Sequence, residues 1–476
     1  MQKYRKTKIV ATLGPATSSK EKIEALIDAG VNIFRLNASH GELSEHEVVI
    51  NIIKSVREEK NIPIAILFDI QGPKIRVGKL ENGTPVSLVE GKEIIITSEN
   101  LLGNQERIST NYPNLANDVK PDDLILLNDG VFVLKVKEIS GSDVKTIIMA
   151  GGSLTEHKGV NLPGTTSSLS AITPKDEKDI EFAVKHKVDY IALSFVRSAE
   201  DIKLLRKHIK ESGGDIPVIA KIEKPKALEN IEEIIDVSDG IMVARGDLGI
   251  ELAPHKVPLA QKKLIYLSNL ENVFVITATQ MLESMIENPL PSRAEASDVA
   301  NAILDGTDAI MLSAETSVGK YPEKAVKMMD SISLEIESKD YIEIRKVVPK
   351  LSDNISADSH AIAVSTFAMS KDLNVDAIVA FTNSGFTAKL LSNFRPNAPI
   401  IAITHSEKVS RELNAYWGII PCVVDIEDTE MSQYYGLDKI LKEKTPLVTN
   451  DKIVIVGGMP YLVSGITNFI RLHTIK

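Results

Sequence analysis

Charged side chains stand at the ends of two consecutive apolar runs. Lys221 and Glu223 close the run IPVIAKIE, and Asp247 follows the next run, GIMVARGD. Two carboxylates, completed by substrate oxygens and water, are the usual ligands of Mg²⁺. Lys221 alternates with Glu223 along a predicted strand, so both can point to one side, where the ammonium would stabilise an enolate or phosphoryl charge. The simpler alternatives are two solvated loop carboxylates and a salt bridge.

Basic residues elsewhere in the chain form a scattered set that suits phosphate. Guanidinium groups bind phosphate through paired hydrogen bonds, and Arg35 and Arg76 supply two of them. Lys158 lies in the segment HKGVNLPG, and a domain folding over the site would bring it to a phosphate and exclude water. Taken singly, each is more often a solvated surface charge, so only the whole set indicates a phosphate site.

A regular alternation of strands and helices must position these residues. Eight β-rich runs, each followed by a helical pattern, cover 7–13, 31–39, 62–70, 188–196, 216–222, 240–244, 273–278 and 308–314. Eight such units in about 240 residues match a (β/α)₈ barrel, whose function sits at the C-terminal strand ends. A doubly wound open sheet is the alternative. The barrel is favoured by the many further polar residues at strand ends, which are Asn37, Ser39, His40, Asp69, Arg245, Gly246, Thr277, Thr279, Gln280, Ser313 and Glu315.

Capping residues predict where several helices begin. A serine followed three residues later by an acid is the capping-box pattern, and the pairs are Ser18 with Glu21, Ser44 with Glu47, Ser198 with Asp201, and Ser292 with Glu295. Thr173-Pro174 predicts one more helix start, because proline suits the first helical position.

Two other domains interrupt and follow the barrel. Residues 73–170, called the insert below, have turn signals and no convincing helix, which predicts a small β-domain. Folded over the barrel mouth, this domain would act as a lid. Residues 346–476 carry a second β/α series with strands at 377–382, 400–404, 419–424 and 452–457. We therefore predict a barrel from 1–72 and 171–345, and a separate C-terminal α/β domain from 346–476.

Composition excludes several classes of protein. The net charge of −10 argues against general binding to nucleic acid or anionic membranes. The single cysteine, Cys422, rules out an intrachain disulfide and nearly excludes a cysteine zinc site. There is no long apolar span, no dinucleotide fingerprint and no P-loop. We expect a cytoplasmic protein with no membrane or nucleic-acid partner.

Long motifs of the chain are similar to those of one enzyme family. The segments VNIFRLNASHG, DIQGPKIRVG, KGVNLPG, AKIE, MVARGDLG, TATQMLESM and PSRAEASDVANAILDGTDAIMLSAET occur in order over essentially the whole length. Together they resemble pyruvate kinase. The resemblance implies phosphoryl transfer from phosphoenolpyruvate to ADP, giving pyruvate and ATP in the last step of glycolysis. It also implies an allosteric homotetramer, in which the barrel is catalytic and the C-terminal domain serves effector binding and oligomerisation.

The resemblance assigns roles by motif. It implies that Arg35 contacts the transferring phosphoryl group, that Lys221 stabilises this group and the enolate, and that Glu223 and Asp247 bind Mg²⁺, with Mn²⁺ as a substitute. Phosphoenolpyruvate would also contact the Gly246 amide and Thr279. The implied nucleotide contacts, which bring a second Mg²⁺, are Asn37, Ala38, Ser39, His40, Arg76 and Lys158. For the proton donor, a water relay through Ser313 and Glu315 and a purely structural role both stay open.

One departure from the family pattern concerns potassium. Relatives activated by K⁺ usually read D-T-x-G-P-E-I-R, where this chain reads DIQGPKIR. The monovalent-cation residues are kept, and they are Asn37, Ser39, Asp69 and the carbonyl of Ile70. Lys74, however, replaces an acid beside them, and its ammonium could supply the charge that K⁺ otherwise provides. We predict that K⁺ is not required.

The C-terminal domain carries a candidate effector loop. The segment TNSGFT follows a predicted strand and opens a helix, and the candidate phosphate contacts are Thr382, Asn383, Ser384, Gly385 and Thr387. The alternative is an ordinary helix N-cap at Ser384 or Thr387. Because Asn383 stands where a lysine can favour fructose 1,6-bisphosphate in the family, we expect a sugar monophosphate or nucleoside monophosphate as the phosphorylated effector.

Two other functions compete with this assignment. A metal-dependent lyase or aldolase acting on an enolate could also use a Glu and an Asp for Mg²⁺, but it would not need Arg76, Lys158 or the insert. A silent sugar-phosphate sensor would tolerate loss of Lys221, Glu223 or Asp247, and all of them are present.

Overall fold

The computed structural model describes residues 4–165, 168–338, 347–350, 355–424, 436–458 and 466–476. Within these ranges eight parallel strands form a closed barrel, and in chain order they are Lys8–Thr12, Ile33–Asn37, Ala65–Ile70, Tyr190–Leu193, Val218–Ile222, Gly240–Ala244, Phe274–Ala278 and Ala309–Leu312. The first strand pairs with both the second and the eighth, in the register Ala11 with Leu312. Closure confirms the predicted barrel and excludes the open sheet.

Helices surround the barrel and cover the outward faces of its strands. Their bounds are Lys20–Asp28, Leu43–Lys60, Pro174–Lys185, Ala199–Glu211, Pro225–Glu229, Ile231–Asp236, Arg245–Glu251, Val257–Leu270, Arg293–Leu304, Ala314–Ser317 and Pro322–Glu337. Short 3₁₀ turns lie at Pro254–Lys256 and Glu283–Ile286. Apolar side chains alternate between two faces along each strand, since Ile9 and Ala11 pack against the helices while Val10 fills the barrel interior.

Of the five predicted helix starts, two are confirmed, one is right in position but lacks the predicted capping bond, and two are wrong. Ser292 with Glu295 forms the predicted box, Thr173 caps the helix that begins at Pro174, and Ser198 occupies the N-cap position without a side-chain cap bond. The prediction of Ser18 was wrong by one residue, because Ser19 accepts from the Lys22 amide. The prediction of Ser44 was also wrong, since Glu42 and Glu45 form that box. Neighbouring capping residues compete, and the loop geometry selects one.

The insert is built mostly from antiparallel strands, with one parallel pair between Glu93–Thr97 and Arg107–Ser109. In the described residues its strands are Val86–Leu88, Glu93–Thr97, Arg107–Ser109, Leu124–Leu127, Phe132–Ser140, Asp143–Ala150, Gly152–Leu154 and Val160–Asn161. They form a six-stranded sheet and a two-stranded sheet around an apolar core of their own. The insert also holds a one-turn helix at Leu115–Asp118 and a 3₁₀ turn at Glu81–Gly83, which the sequence pattern did not predict.

The C-terminal domain is a five-stranded sheet with helices, counted over its described residues. The strands are Ala377–Phe381, Ile400–Thr404, Ile419–Val423, Lys452–Gly457 and Phe469–Thr474, and the helices are Ala357–Asp372, Phe386–Asn393, Glu407–Leu413 and Leu437–Lys444. The strand Phe469–Thr474 is antiparallel to its neighbour and was not predicted. The exact domain boundaries stay a prediction. Among all described helices, none combines the length and apolar character that crossing a membrane requires.

The core of the C-terminal domain continues into the interior of the barrel. One apolar cluster joins interior barrel residues such as Phe274 to residues such as Tyr416 of the C-terminal domain, whose rings lie 5.0 Å apart. Buried polar contacts accompany it, because Arg395 donates to Asp308 at 2.7 Å just before the eighth barrel strand. The C-terminal domain thus closes the N-terminal end of the barrel, and the opposite end is left for the site.

Candidate active site

Lys221 lies at the centre of the polar cluster at the barrel mouth. It sits on the fifth barrel strand, and its ammonium is 2.9 Å from Glu223 Oε1 and 3.3 Å from Asp69 Oδ2. It also donates to Ser194 Oγ at 2.7 Å. The predicted side sharing of Lys221 and Glu223 is confirmed by this contact. All four side chains are buried, so their charges act in a medium that screens them weakly.

Burial and mutual charge shift the pKa values of this cluster. Burial lowers the pKa of Lys221, but the charges of Asp69 and Glu223 outweigh it and hold the pKa above the ordinary value. The pKa of Asp69 is lowered, because the charges of Lys221 and Arg35 overcome the effect of its burial. Glu223 differs, since burial and the nearby charge of Asp247 raise its pKa to about 7 despite Lys221. The ammonium of Lys221 therefore does not fully offset the cost of burying the Glu223 carboxylate.

Glu223 and Asp247 fit a divalent cation. They follow neighbouring barrel strands, and the charge of Asp247 adds to burial in raising the pKa of Glu223. A cation between them would remove this repulsion. Among the described residues, no group of three or more acidic, histidine or cysteine side chains is arranged as a metal site. Two protein carboxylates with substrate oxygens and water as the other ligands is the arrangement that Mg²⁺ prefers.

Arg35 is held beside Lys221 by the same aspartate. The Arg35 guanidinium donates to Asp69 Oδ2 at 2.8 Å and to Thr12 Oγ1 at 3.0 Å. Asp69 lies on the third barrel strand, next to the strand of Arg35. Two cations converge on one buried carboxylate, which fixes the positions of both basic groups beside each other.

The end of the fourth barrel strand contributes two residues that the sequence analysis missed. Ser194 accepts from Lys221 and donates to the Ile70 carbonyl at 2.9 Å. Phe195 has a left-handed backbone, with φ of 58°, and its amide donates to Glu223 Oε2 at 2.8 Å. The sequence signal was available, because these residues end a barrel strand like the others. The residues at the ends of all eight barrel strands are therefore candidates for the site.

Gly246 and Thr279 are brought together between the sixth and seventh strands. The Gly246 amide donates to Thr279 Oγ1 at 2.7 Å. Thr279 and Gln280 both have left-handed backbones, with φ of 66° and 52°. The Arg245 guanidinium holds them by donating to their carbonyl oxygens at 2.7 and 3.1 Å. Arg245, to which the sequence analysis gave no role, is thus a positioning residue.

The predicted nucleotide residues lie in two places, one on the barrel and one on the insert. Asn37, Ala38, Ser39 and His40 form the loop after the second strand, where Asn37 Oδ1 accepts from the Ser39 amide at 3.1 Å. Arg76 and Lys158 lie on adjacent antiparallel segments of the insert, since Arg76 pairs with Gly159. The pKa of His40 is lowered by burial and then by the charges of Lys74, Arg76 and Arg35. The charges of these three basic residues, two from the insert and one from the barrel, therefore reach the same histidine.

A cleft separates the insert from the barrel mouth. Its lining from the insert includes Lys74, Asp129 and Asn161, and its lining from the barrel includes Phe195 and Asp247. The Lys74 side chain lies near Gly159, because a Cβ built at Gly159 would be 4.0 Å from Lys74 Cε. The cleft thus contains the candidate metal ligand Asp247, and basic side chains line both of its walls, Lys74 from the insert and Arg197 and Lys224 from the barrel.

The remaining polar residues of the eighth strand have structural contacts. Glu315 accepts from the Ser313 amide at 2.7 Å and from the Leu282 amide at 3.1 Å. Burial raises the pKa of Glu315 above its ordinary value, although these amides oppose the shift. The Ser313 hydroxyl is buried without a hydrogen-bond partner among the described residues. These contacts favour the structural role for Glu315.

The candidate effector loop has a glycine at its N-cap. The helix Phe386–Asn393 begins after Gly385, which is left-handed with φ of 86°, and no side chain caps it. The predicted alternative of a Ser384 or Thr387 cap is therefore wrong. Ser384 is exposed, Thr382 is buried, and the Thr387 hydroxyl is buried 2.8 Å from that of Thr467. Ser384 and the first backbone amides of the helix are thus available to an anion.

Comparisons with known proteins agree over nearly the whole chain. Family models described as "Pyruvate kinase, barrel domain" and "Pyruvate kinase, alpha/beta domain" match residues 4–326 and 360–473. The pyruvate kinase of Staphylococcus aureus strain MRSA252 is 44% identical over 474 residues, covering 99% of this chain and 80% of the relative. That of Staphylococcus epidermidis strain ATCC 12228 is 45% identical with the same coverage. A crystal structure of a pyruvate kinase from Cryptosporidium parvum superimposes with a TM-score of 0.92 at 36% identity, covering 99% of this chain and 96% of that one.

Proposed function

The chain belongs to the pyruvate kinase family and transfers a phosphoryl group from phosphoenolpyruvate to ADP in glycolysis, and we propose that Lys221, Arg35 and Thr279 carry this transfer. The supporting observation is the buried ammonium of Lys221, held between Glu223 and Asp69 at the barrel mouth. Phosphoryl transfer depends on positioning and charge neutralisation more than on covalent catalysis. A fixed ammonium supplies both.

Each proposed substrate contact has a distinct task. Arg35 and Lys221 bind the phosphoryl group from the side of Asp69, and Lys221 then stabilises the enolate oxygen that the transfer leaves. The Gly246 amide and Thr279 bind the other end of phosphoenolpyruvate, near the carbon that must be protonated. Because Arg245 fixes the Thr279 backbone, this end of the substrate is held rigidly.

Members of this family generally need a divalent metal ion, and we assign it to Glu223 and Asp247. Mg²⁺, which Mn²⁺ can replace, would supply positive charge to the substrate oxygens and to the raised-pKa carboxylate of Glu223. The Phe195 amide orients Glu223 from the opposite side. Asp247 also lines the cleft, so it is within reach of substrate and metal together.

The nucleotide is proposed to bind between the loop 37–40 and the insert. Asn37, Ala38, Ser39 and His40 would contact it from the barrel, and Arg76 and Lys158 would bind its phosphates together with a second Mg²⁺. The insert, residues 73–170, then acts as a lid. Its closure brings Lys158 to the phosphates and excludes water.

The decisive experiment measures pyruvate formation from phosphoenolpyruvate and ADP with Mg²⁺. Lys221→Ala should lower kcat at least a thousandfold, because nothing else on the fifth strand supplies the ammonium. Lys203→Ala is the matched control, since Lys203 lies exposed on an outer helix. Equal activity of Lys221→Ala and wild type would refute the assigned role.

We further propose that K⁺ is not required. The carbonyl of Ile70 accepts from Ser194, and Asp69 is already paired with two cations, while Lys74 lies close enough to act on His40. Activity should change by less than about twofold when tetramethylammonium replaces K⁺. Lys74→Glu should introduce a requirement for K⁺. Strong K⁺ activation of the wild type would contradict this proposal.

The regulatory proposals concern the C-terminal domain. We propose that a sugar monophosphate or nucleoside monophosphate binds at Thr382, Asn383, Ser384, Gly385 and Thr387, that the enzyme is a cytoplasmic homotetramer, and that the effector acts on it allosterically. Phosphorylated compounds should raise the thermal midpoint of the wild type and not that of Ser384→Asp, because the added carboxylate repels phosphate. No shift with any compound would refute the effector site, and sedimentation would test the tetramer.

A further inference from the structure

A buried carboxylate joins the insert to the barrel at the edge of the site. Glu251 ends the helix Arg245–Glu251, which carries Gly246 and Asp247 near its start. Its Oε1 accepts from Asn161 Nδ2 of the insert at 3.0 Å. Asn161 and Glu251 are both buried, and the Glu251 side chain is 1% exposed. The contact is therefore shielded from water, where a hydrogen bond to a charged acceptor is strong.

The same oxygen is also paired with Lys224. Lys224 Nζ contacts Glu251 Oε1, and Lys224 directly follows the proposed metal ligand Glu223. Its ammonium also lies 5.7 Å from the ring of Phe195, whose amide donates to Glu223. One carboxylate thus connects the segments that carry both proposed metal ligands.

Backbone contacts fix Asn161 within the insert. The strand Val160–Asn161 pairs with Leu124–Leu127, and the Val160 amide donates to the Ile75 carbonyl at 2.9 Å. Near the same edge, a Cβ at Gly130 would lie 3.8 Å from Ile250, the neighbour of Glu251. Movement of the insert away from the barrel must therefore pull Asn161 from Glu251.

We propose that Glu251 and Asn161 form a latch that holds the insert closed and transmits its closure to the segments of Glu223 and Asp247. Both are positioning residues that act through the lid and do not touch the reacting atoms. The inference rests on the proposed lid function of the insert. When the insert opens, Glu251 loses one of its two partners and is left with Lys224 alone, so the open state is disfavoured.

Exchanging the two functional groups tests the latch directly. Asn161→Asp sets two carboxylates against each other and should open the insert. Glu251→Gln combined with Asn161→Asp restores a hydrogen bond of reversed polarity, because the new amide donates to the new carboxylate. The double variant also keeps the net charge of the wild type and leaves a carboxylate for Lys224. In the double variant, the insert should therefore return to its closed position.

The position of the insert can be measured without activity. In a Cys422→Ser background, Met149→Cys on the insert and Leu259→Cys on the barrel place fluorophores at exposed sites. Labelled chains are diluted in excess unlabelled chain, so that each energy-transfer pair lies within one molecule. Asn161→Asp should lengthen the mean distance between the labels, and the double variant should return it to the wild-type value.

Kinetics provide the second readout. Opening lowers the fraction of molecules competent to bind, so Asn161→Asp should raise the KM for ADP at least tenfold. The kcat should fall less than about threefold, because saturating substrate restores the closed state. A collapsed structure would instead lower kcat and the thermal midpoint. The double variant should return KM to within about threefold of wild type.

A matched exchange within the insert serves as control. Asn104 Nδ2 donates to Glu81 Oε1 at 3.1 Å in an exposed pair that does not involve the barrel. Asn104→Asp, alone or with Glu81→Gln, should change neither the distance between the labels nor the KM for ADP.

An unchanged distance between the labels in Asn161→Asp, or no recovery of that distance in the folded double variant, would overturn the latch. If Asn161→Asp does not fold, the double variant and Asn161→Ala decide the question. If the wild type and all variants lack pyruvate kinase activity while the distances between the labels change as expected, the result would count against the proposed function and not against the latch.

Discussion

At the scale of single residues, the site depends on how buried charges are compensated. Lys221 and Arg35 share Asp69, and Lys221 is paired with Glu223 as well. Glu223 differs from Asp69, because its pKa is raised by burial and by Asp247. A divalent metal ion at the proposed site would offset the carboxylate charge of this cluster.

Ser194 provides a prediction at this scale. Ser194→Ala removes the acceptor of Lys221 and the donor to Ile70, so the ammonium should lose its fixed position. A hydrogen bond to a charged group is worth about 1.5–3 kcal/mol, which corresponds to a fall in kcat of roughly tenfold to a hundredfold. Steady-state kinetics with saturating phosphoenolpyruvate and ADP would measure this fall in kcat.

The control for Ser194 is another buried serine. Ser333 donates to Met329 within an outer helix, so Ser333→Ala should cost similar stability and leave kcat unchanged. Equal kcat values for Ser194→Ala and wild type would show that Asp69 and Glu223 alone position Lys221.

At the scale of elements, the backbone conformation at the ends of the barrel strands determines which groups point toward the candidate site. The seventh strand ends in two consecutive non-glycine residues with left-handed backbones, which cost about 1–2 kcal/mol each. Arg245, after the sixth strand, compensates by donating to both carbonyls. Neighbouring strand ends therefore hold each other in a strained conformation that is useful at the site.

Arg245→Lys tests this interdependence. A lysine keeps the charge but cannot donate to two carbonyls in a fork, so kcat/KM for phosphoenolpyruvate should fall by roughly tenfold to a hundredfold. Adding Gln280→Gly should recover part of the loss, because glycine adopts positive φ without strain. Identical kinetics in the single and double variants would mean that the backbone of Gln280 is held by other contacts.

At the scale of the whole molecule, the C-terminal domain is packed into the lower end of the barrel. Lys8 at the start of the first strand donates to the Ile419 carbonyl at 2.6 Å across this interface. Its pKa is lowered to about 7, chiefly by burial and then by the charge of Arg5. The interface therefore contains a lysine that is near its titration point at neutral pH.

Lys8→Met provides the prediction for this interface. The unfolded chain, with a lysine pKa of 10.5, binds more protons than the folded chain above pH 7. The free energy of unfolding of the wild type therefore rises with pH between about 7 and 10.5 by up to about 5 kcal/mol from this group. The difference in free energy of unfolding between Lys8→Met and wild type should favour the variant most at pH 7 and should shrink toward pH 10.

Thermal midpoints across this pH range would measure the difference, since all other groups titrate equally in both proteins. Lys203→Met, at an exposed lysine, should show no change with pH relative to wild type. A constant difference between Lys8→Met and wild type from pH 7 to pH 10 would contradict the lowered pKa of Lys8.

The sequence by itself determined the barrel, the insert and the central pair of the site. Eight β-rich runs have a local signal, and the two-residue spacing of Lys221 and Glu223 places both on one face of a strand whatever surrounds it. Family motifs then supplied the reaction, because they are long and continuous. Helix starts at Ser19 and Glu42 were missed by one or two residues, since adjacent polar residues carry nearly equal capping signals.

Only the tertiary structure decided which distant residues support the site. Ser194 meets Lys221, Arg245 meets Thr279 and Asn161 meets Glu251 across separations of 27, 34 and 90 residues. No periodicity encodes such contacts, because they depend on strand order and on how the insert rests on the barrel. The antiparallel strand Phe469–Thr474 was missed for a similar reason, since its pairing is set by a neighbouring strand and not by its own pattern.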